Sequence, residues 1–516
     1  MKLNYKRTIL VGFAFFLISA FWQAYDATIP VILTNKFGMS QTWSGVIMAL
    51  DNILAVFMLP IFGAISDKCK SPKGKRTPFI MVGTIIAAIA LVGLSFVDGI
   101  QLNRVSDVAA IDDPAALAVI YDKQADTTLQ TPEGQEFVLR DVMDKDAFVS
   151  IRSQIVEPSG EKIVSKDYTN YVVPARQACA ADATAAQPVT LILFIVLLLA
   201  VLIAMATFRS PAVALMPDVT IKPLRSKANA IINLMGTAGG ILVLVLGIVF
   251  ATSSIKNSMM SYVPYYGIIA LLMLGALFIF RKTVKEPQWS AEMQETSLEL
   301  GIEEDEEEAA ETRKLSRSEK GSLLLILASI ALWYIGYNAI TSKYSLYANA
   351  VLGMDYNTTL LLAQAAAIVA YLPAGMVASK IGRKKTILAG IVMLTSAFAI
   401  ASFMRAGSSP LLMNVLFALA GIGWATINVN SFPMVVEMCS GSDIGKYTGY
   451  YYTASMTAQI ITPIFSGYLM DQFGMTMLFP YAAVFAGLAF VTISLTKHGD
   501  SKPEAKKGLE ALDTDD

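Results

Sequence analysis

Twelve apolar runs, each long enough to cross a lipid bilayer as one helix, divide this chain of 516 residues. They fall at about 9–33, 42–65, 78–98, 189–216, 228–252, 262–281, 322–347, 357–379, 386–404, 411–436, 447–470 and 475–496. A bilayer core is about 30 Å thick and a helix rises about 1.5 Å per residue, so about 20 apolar residues make one crossing. Lipid offers the backbone no hydrogen-bond partners, which leaves the helix as the conformation of each run. The predicted class is therefore an all-α integral membrane protein with 12 transmembrane helices. Only 16% of the residues are charged, against roughly a quarter in soluble chains.

The chain is also built twice. Phe21-Trp22-Gln23-Ala24-Tyr25-Asp26 aligns with Trp333-Tyr334-Ile335-Gly336-Tyr337-Asn338, 312 positions later, and the same offset sets Gly63 on Gly375 and Lys68 on Lys380. Farther on, Ala206-Thr207-Phe208-Arg209 aligns with Ala425-Thr426-Ile427-Asn428 at an offset of 219, which sets Asp218 on Glu437 and Lys227 on Lys446. Duplicated bundles of this kind hold their ligand site between the halves. The shorter offset leaves about 93 additional residues in the first half, at 99–187, between helices 3 and 4. This insert is polar, and segments such as Glu136-Phe137-Val138-Leu139 suit strands. A small folded cap over the outer mouth is expected, with a disordered loop as the alternative. The predicted organisation is a six-helix bundle over 1–281 carrying the insert, a linker over 282–321, a second six-helix bundle over 322–497 and a polar tail over 498–516. The acidic run at 303–308 reads as solvated linker.

Basic residues set the orientation. Lys2, Lys6 and Arg7, then Lys68, Lys70, Lys73, Lys75 and Arg76, then Lys222, Arg225 and Lys227, then Lys380, Arg383, Lys384 and Lys385 all fall on one side. The positive-inside rule makes that side cytoplasmic, so the chain is expected in a cell membrane as a multi-pass protein with both termini inside. The same clustering accounts for the basic residues as topology signals and gives nucleic-acid binding no support. Of Cys69, Cys179 and Cys439, only Cys179 lies on the predicted outer side, and no pair has metal-ligand spacing. The single histidine, His498, is in the tail, so proton coupling would have to use carboxylates. No nucleophile–base pair appears, which argues against an enzyme.

Charges inside apolar helices are costly, about 2.5–3.5 kcal/mol at the bilayer centre on insertion scales, and so face a cavity or a partner. Asp26 sits in helix 1 beside Trp22, Gln23 and Tyr25, Asp51 in helix 2, and Arg209 in helix 4. Arg209 needs a counter-charge, and either aspartate is placed to supply it. The three read as a network binding a proton or cation; a fixed ion pair holding the first bundle together is the alternative. The second half offers neutral groups instead: Tyr337 and Asn338 in helix 7, Trp424, Asn428 and Asn430 in helix 10, Tyr452 and Gln459 in helix 11. Amides bond hydroxyls and aromatic faces stack on sugar rings, so these suit a polyhydroxylated ligand; helix–helix glue is the alternative.

Between helices 2 and 3 the chain reads Gly63-Ala64-Ile65-Ser66-Asp67-Lys68 and then Gly74-Lys75-Arg76-Thr77-Pro78-Phe79. Asp67 is expected to cap the N-terminus of a neighbouring helix, and the Lys/Arg cluster with Lys68 and Arg76 to pair with acids there; Asp218 belongs to the same set. Arg383 and Glu437 are the counterparts in the second half, and the set reads as a conformational latch; a topology anchor alone is the alternative. This loop resembles the signature of the major facilitator superfamily. Its longer form is similar to the branch holding the sucrose:proton and glycoside–pentoside–hexuronide:cation symporters, as are Arg209-x-Pro211-x-x-Ala214-Leu215-x-x-Asp218, Gly336-Tyr337-Asn338 and Asn428-x-Asn430-x-x-Pro433. The resemblance implies two six-helix bundles, no organic cofactor, and proton-coupled uptake of a sugar by alternating access, carried out by a monomer. The glycoside symporters place two helix 2 carboxylates within one turn before a proline. Here only Asp51 precedes Pro60, nine residues away, which favours H+ and leaves Na+ as the alternative. An exporter of drugs or metabolites on the same fold, and a non-transporting receptor using the insert, are the other readings of the chain.

Overall fold

The computed structural model describes residues 3–156, 162–221, 224–299, 316–436, 438 and 444–500. Lys2, Lys222, the acidic run 303–308, Glu437 and Cys439 lie outside them, as does the side chain of Lys446. Twelve long helices among the described residues follow the apolar runs. They are α1 (Tyr5–Asn35), α2 (Gln41–Asp67), α3 (Thr77–Arg104), α4 (Val189–Asp218), α5 (Arg225–Val249) and α6 (Val263–Thr283) in the first half. The second half has α7 (Arg317–Tyr347), α8 (Tyr356–Ile381), α9 (Arg383–Ala401), α10 (Pro410–Val436), α11 (Ile444–Phe473) and α12 (Leu478–Ser494). Among the described residues ten helices are long and apolar enough to span a membrane; α8 and α11, of 26 and 30 residues, complete the twelve.

Local chemistry explains where the helices start. Asn4 caps α1 through the amide of Arg7, and Ser316 and Glu319 close a reciprocal capping box on α7. Asp355 caps α8 by accepting from Asn357 N at 3.0 Å and Thr358 N at 3.2 Å. Each half has its own buried cluster, one around Phe21, Ile80, Phe208 and Tyr266, the other around Trp333, Tyr344, Phe398 and Phe479. In the first half α1 packs on α5 and α3 on α4; the repeat partners α7 with α11 and α9 with α10 do the same in the second. At the far end of α1, Lys36 meets Asp98 of α3, both fully buried, with Nζ 2.7 Å from each carboxylate oxygen and 2.6 Å from the Met260 carbonyl.

The halves meet along α2–α11, α1–α7 and α5–α8. Most of the described hydrogen bonds between them lie at one end, the insert face. Asp471 of α11 receives Gln41 N at 2.7 Å, Thr42 N at 2.8 Å and Thr42 Oγ1 at 2.5 Å, so a carboxylate of the second half caps a helix of the first. Lys343 of α7 donates to the Gln41 carbonyl at 2.7 Å. Glycines permit this approach: a Cβ on Gly45 would land on the Pro463 carbonyl, and one on Gly467 on the Gln41 carbonyl. At the other end of α2, Phe57, Ile61 and Ile65 are 65%, 51% and 48% exposed.

Helix α3 runs to Arg104, beyond the apolar run that ended at 98, and the insert follows it. It holds helices Pro114–Gln124 and Val173–Ala186 and two hairpins, β1 (Thr128–Gln130) with β2 (Glu136–Val138) and β3 (Gln154–Val156) with β4 (Lys162–Val164). Leu117, Ile120, Leu139, Phe148, Tyr168 and Cys179 form its core, joined by Ile255 and Met259 from the α5–α6 connection. The insert touches both halves. Gln177 bonds Asn35 at 3.0 Å, whereas the tip of the first hairpin reaches the second half: Thr476 N donates to the Pro132 carbonyl at 3.1 Å, and Arg405 pairs with Glu133 at 3.4 Å.

Candidate functional site

A cavity of about 540 Å³ lies between the halves at mid-depth. Helical spacing builds its walls. Trp22, Gln23 and Asp26 share a face of α1; Asn233 and Thr237 share one on α5; Tyr337, Thr341 and Ser345 share one on α7. Arg209 enters from α4, Gln364 and Tyr371 from α8, and Trp424 from α10. Six helices from both halves therefore contribute polar or aromatic groups to one space.

Two features organise it. Tyr337 and Trp424 are stacked, with centroids 3.6 Å apart and planes 6° from parallel, and Tyr334 meets Trp424 edge-on at 5.2 Å. Gln364 Nε2 donates to Gln23 Oε1 at 2.5 Å, an amide bridge between the halves. On the opposite wall the Arg209 guanidinium lies 5.7 Å from the centre of the Trp22 ring.

The ion pair expected of Arg209 with Asp26 or Asp51 is not made in this conformation. Among the described residues Arg209 has no carboxylate within 4.0 Å; it lines the cavity with its guanidinium over the Trp22 face. Asp51 instead accepts from Asn52 Nδ2 at 2.8 Å, while staying within electrostatic reach of both Arg209 and Asp26. The three charges thus share one neighbourhood without a direct contact. Tyr452 of α11 also lies within reach of Arg209, and Tyr337 within reach of Asp26.

The other amides and aromatics named from the sequence lie outside the cavity lining. Tyr25 is 3% exposed and packs on Phe21 and Trp22. Asn338 is half-buried on α7, with Nδ2 buried and unpartnered. Asn428 is 8% exposed, and Asn430, fully buried, donates to the Thr426 carbonyl of its own helix at 2.9 Å. Gln459 is half-buried on α11. Asn233, Thr237, Gln364 and Tyr371 line the cavity without having been singled out in the sequence. The signal used for Asn338, an amide inside an apolar run, finds Asn233 and Gln364 when applied to helices 5 and 8.

With this geometry in place, the sequence matches a family model described as Major Facilitator Superfamily over residues 177–370 and 358–513. The chain belongs to the major facilitator superfamily. A second family model, described as MFS/sugar transport protein, matches residues 10–106. Superfamily relatives with curated names match over short stretches. The MFS-type transporter ppzB of Metarhizium rileyi (strain RCEF 4871) is 28% identical over 130 residues, 25% of this chain and 26% of that protein. Sucrose transport protein SUC3 of Arabidopsis thaliana is 37% identical over 67 residues, 13% of this chain and 11% of that one. The matches thus span about a quarter of the fungal relative and about a tenth of the plant one. Among solved superfamily structures, the inward-open xylose transporter XylE from E. coli aligns over 99% of both chains with a TM-score of 0.53 and 14% identity. A bacterial homologue of the iron transporter ferroportin in its inward-facing state aligns over 96% of this chain and 99% of its own, with a TM-score of 0.60 and 11% identity. At these identities the likeness concerns the fold alone.

The signature loop of the superfamily forms a compact polar knot. Arg76 is 5% exposed and binds three partners: Asp218 at 2.7 Å, Asp67 at 2.5 Å and the Ser66 hydroxyl. Asp67 therefore pairs with Arg76 and does not cap a helix. That task falls to Glu286, at the start of the linker helix Glu286–Glu299, which accepts from Arg76 N at 2.8 Å, Thr77 N at 2.8 Å and Thr77 Oγ1 at 2.7 Å. The linker helix leaves α6 beside the start of α3, so its first carboxylate reaches those amides before Asp67, whose side chain is 62% exposed. Gly74, with φ of +108°, keeps the loop clear of the Glu286 carboxylate. Gly63 faces Ser210 of α4, where a Cβ would sit 2.9 Å from the hydroxyl. Lys68 is exposed, and Arg383 is half-buried at the start of α9.

Proposed function

We propose that this protein is a proton-coupled secondary transporter that moves a sugar through the central cavity by alternating access, in the direction of uptake. The observation that carries the reading is the pairing of a stacked aromatic platform, Tyr337–Trp424, with amide and hydroxyl groups from both halves around one cavity. An aromatic face takes the C–H side of a sugar ring, and Gln23, Gln364, Asn233, Thr237 and Thr341 supply hydrogen bonds to its hydroxyls. Resemblance to a sugar-transport family model over 10–106 and to a plant sucrose transport protein supports the same ligand class.

In this mechanism, with the termini in the cytoplasm, the conformation described above is inward-facing, sealed at the insert face by Asp471, Lys343 and the α2–α11 contact. Asp26 takes up the proton, with Asp51 and Arg209 setting the field around it. A neutral Asp26 no longer repels Asp51, which lets Asp51 draw in Arg209, while sugar hydroxyls replace the Gln23–Gln364 bridge. Proton and sugar then favour the same closed intermediate, which is what coupling requires, since a ligand binding both states equally shifts nothing.

The test is external alkalinisation of lightly buffered cells expressing the protein, on addition of a panel of sugars, with Asp26→Asn and Asp51→Asn in parallel. One sugar should alkalinise the medium, and Asp26→Asn should abolish the signal while leaving the protein at the surface. Sugar uptake with no proton movement would overturn the coupling; absence of any sugar response from protein present at the surface would overturn the substrate class.

A further inference from the structure

The backbone of Asp26 is tied across the halves, whereas its side chain is not. Ser345 Oγ of α7 donates to the Asp26 carbonyl at 3.4 Å. The carboxylate lines the central cavity on a half-buried residue, and among the described residues no hydrogen bond or ion pair reaches it. Other carboxylates set deep in the helices find donors. Asp51 takes Asn52 Nδ2 at 2.8 Å, Asp98 takes Lys36 Nζ at 2.7 Å, and Asp471 takes three groups from the first turn of α2. A carboxylate left open in such a place takes its partner from outside, as a proton or as a cation.

The balance of charge has the same sign. Of the described residues lining the cavity, only Asp26 and Arg209 are charged. Asp51 stands outside the lining, within electrostatic reach of both. Arg209 thus has an opposite charge to answer it, while the charge within reach of Asp26 is a like one. Two ionised aspartates against one arginine leave a net negative charge, and the open carboxylate carries it. Aromatic rings flank that carboxylate: Trp22 lies one turn before it on the same face of α1, and Tyr337 of the stacked platform is within its reach. A carboxylate beside aromatic faces is the chemistry that recognises an organic ammonium.

We infer that the central site also accepts amino sugars, with the ammonium of a hexosamine seated on Asp26 in place of the proton. This rests on the sugar reading given above. An ammonium is close in size to the hydroxyl it replaces, so the ring keeps its place on Tyr337–Trp424. It also does to the charge network what the proton does, cancelling the repulsion between Asp26 and Asp51. An amino sugar therefore brings its own coupling charge and crosses without a separate proton. A sugar acid is disfavoured, because its carboxylate would add to the uncompensated charge.

The first test is equilibrium binding to the full chain in detergent at pH 6.5, where hexosamines are mostly protonated. The probes are glucosamine, galactosamine and mannosamine against glucose, galactose and mannose, with sucrose, maltose and trehalose as further neutral sugars and glucuronate as the opposite charge. At least one hexosamine should bind about ten-fold or more tightly than its hexose, and glucuronate should bind more weakly than glucose. Asp26→Asn should cost the hexosamine about ten-fold more than it costs the hexose, whereas Asp26→Glu should keep the preference. The second test is charge movement in proteoliposomes: the same hexosamine should enter with an inward positive current and little external alkalinisation, where a neutral sugar gives both. This second test needs only the parent protein, so it decides the matter should Asp26→Asn fail to fold. The inference is overturned if no hexosamine gains over its hexose, if the gain survives Asp26→Asn, if glucuronate gains equally, or if the hexosamine draws in a proton as a neutral sugar does. Neutral sugars that bind while hexosamines gain nothing would sink this inference and leave the sugar reading standing; failure of every probe would sink both.

Discussion

Lys36 and Asp98 are fully buried, and their partners leave neither short of hydrogen bonds. The ammonium has both carboxylate oxygens and the Met260 carbonyl within 2.7 Å, and it lies 4.8 Å from the centre of the Tyr262 ring. Removing one partner strands the other charge, at a cost of about 3–5 kcal/mol, whereas removing both does not. Lys36→Met should therefore lower the unfolding temperature sharply, and Lys36→Met with Asp98→Leu should recover most of the loss, measured by thermal unfolding in one detergent. In the cavity, Trp424→Phe should keep the stack on Tyr337 while Trp424→Ala loses it. An aromatic pair adds about 0.5–1.5 kcal/mol, so the alanine variant should bind sugar about 2- to 10-fold more weakly in equilibrium binding. In the insert, burial pushes the Cys179 thiol above its ordinary range, and the residue is 4% exposed. A membrane-impermeant maleimide at pH 7.5 should label it only after denaturation. Intramembrane charges were legible at this scale because Asp26, Asp51 and Arg209 stand alone in apolar runs. Lys36 and Asp98 were not, because each sits at the edge of its run and reads as a flanking residue.

Among the helices, α2 and α11 show most directly how the halves close. Gly45 and Gly467 let backbone approach backbone, and a side chain at either position would strike a carbonyl. Gly467→Val should hold the insert face open: sugar flux should fall by an order of magnitude or more, and a cysteine placed at Ser44, now fully buried, should react with an impermeant reagent. Unchanged flux with no new reactivity would mean that α2 and α11 part at this point through most of the cycle. The twelve helices could be read from length and apolarity alone, since lipid leaves a long apolar run few alternatives. Their faces were harder. Asn428 stands one turn beyond Trp424 yet is outside the lining, and Asn430 turns back on its own helix. Hydropathy carries little information on rotation when a helix is apolar on nearly every side, so which amide meets the cavity is decided by packing against α8 and α9.

For the molecule as a whole, the insert is anchored in one half and holds the other. The change of repeat offset pointed to an insert between helices 3 and 4, and of the segment 136–139 expected as strand, 136–138 is one while Leu139 opens a short helix. The insert's grip on the second half had no sequence signature, because the Thr476 N to Pro132 carbonyl bond at 3.1 Å is made by backbone atoms. Pro132→Cys with Thr476→Cys should form a disulfide under mild oxidation, and transport should stop until a reductant is added. Continued flux in the cross-linked protein would show that the hairpin travels with the second half and need not let go. The contact also has a practical side. The tip of the first hairpin and the turn before α12 together make a composite epitope reachable without entering the membrane. An antibody fragment selected for that junction would arrest the cycle from the insert face, and would give imaging methods a rigid feature on a molecule otherwise mostly surrounded by lipid.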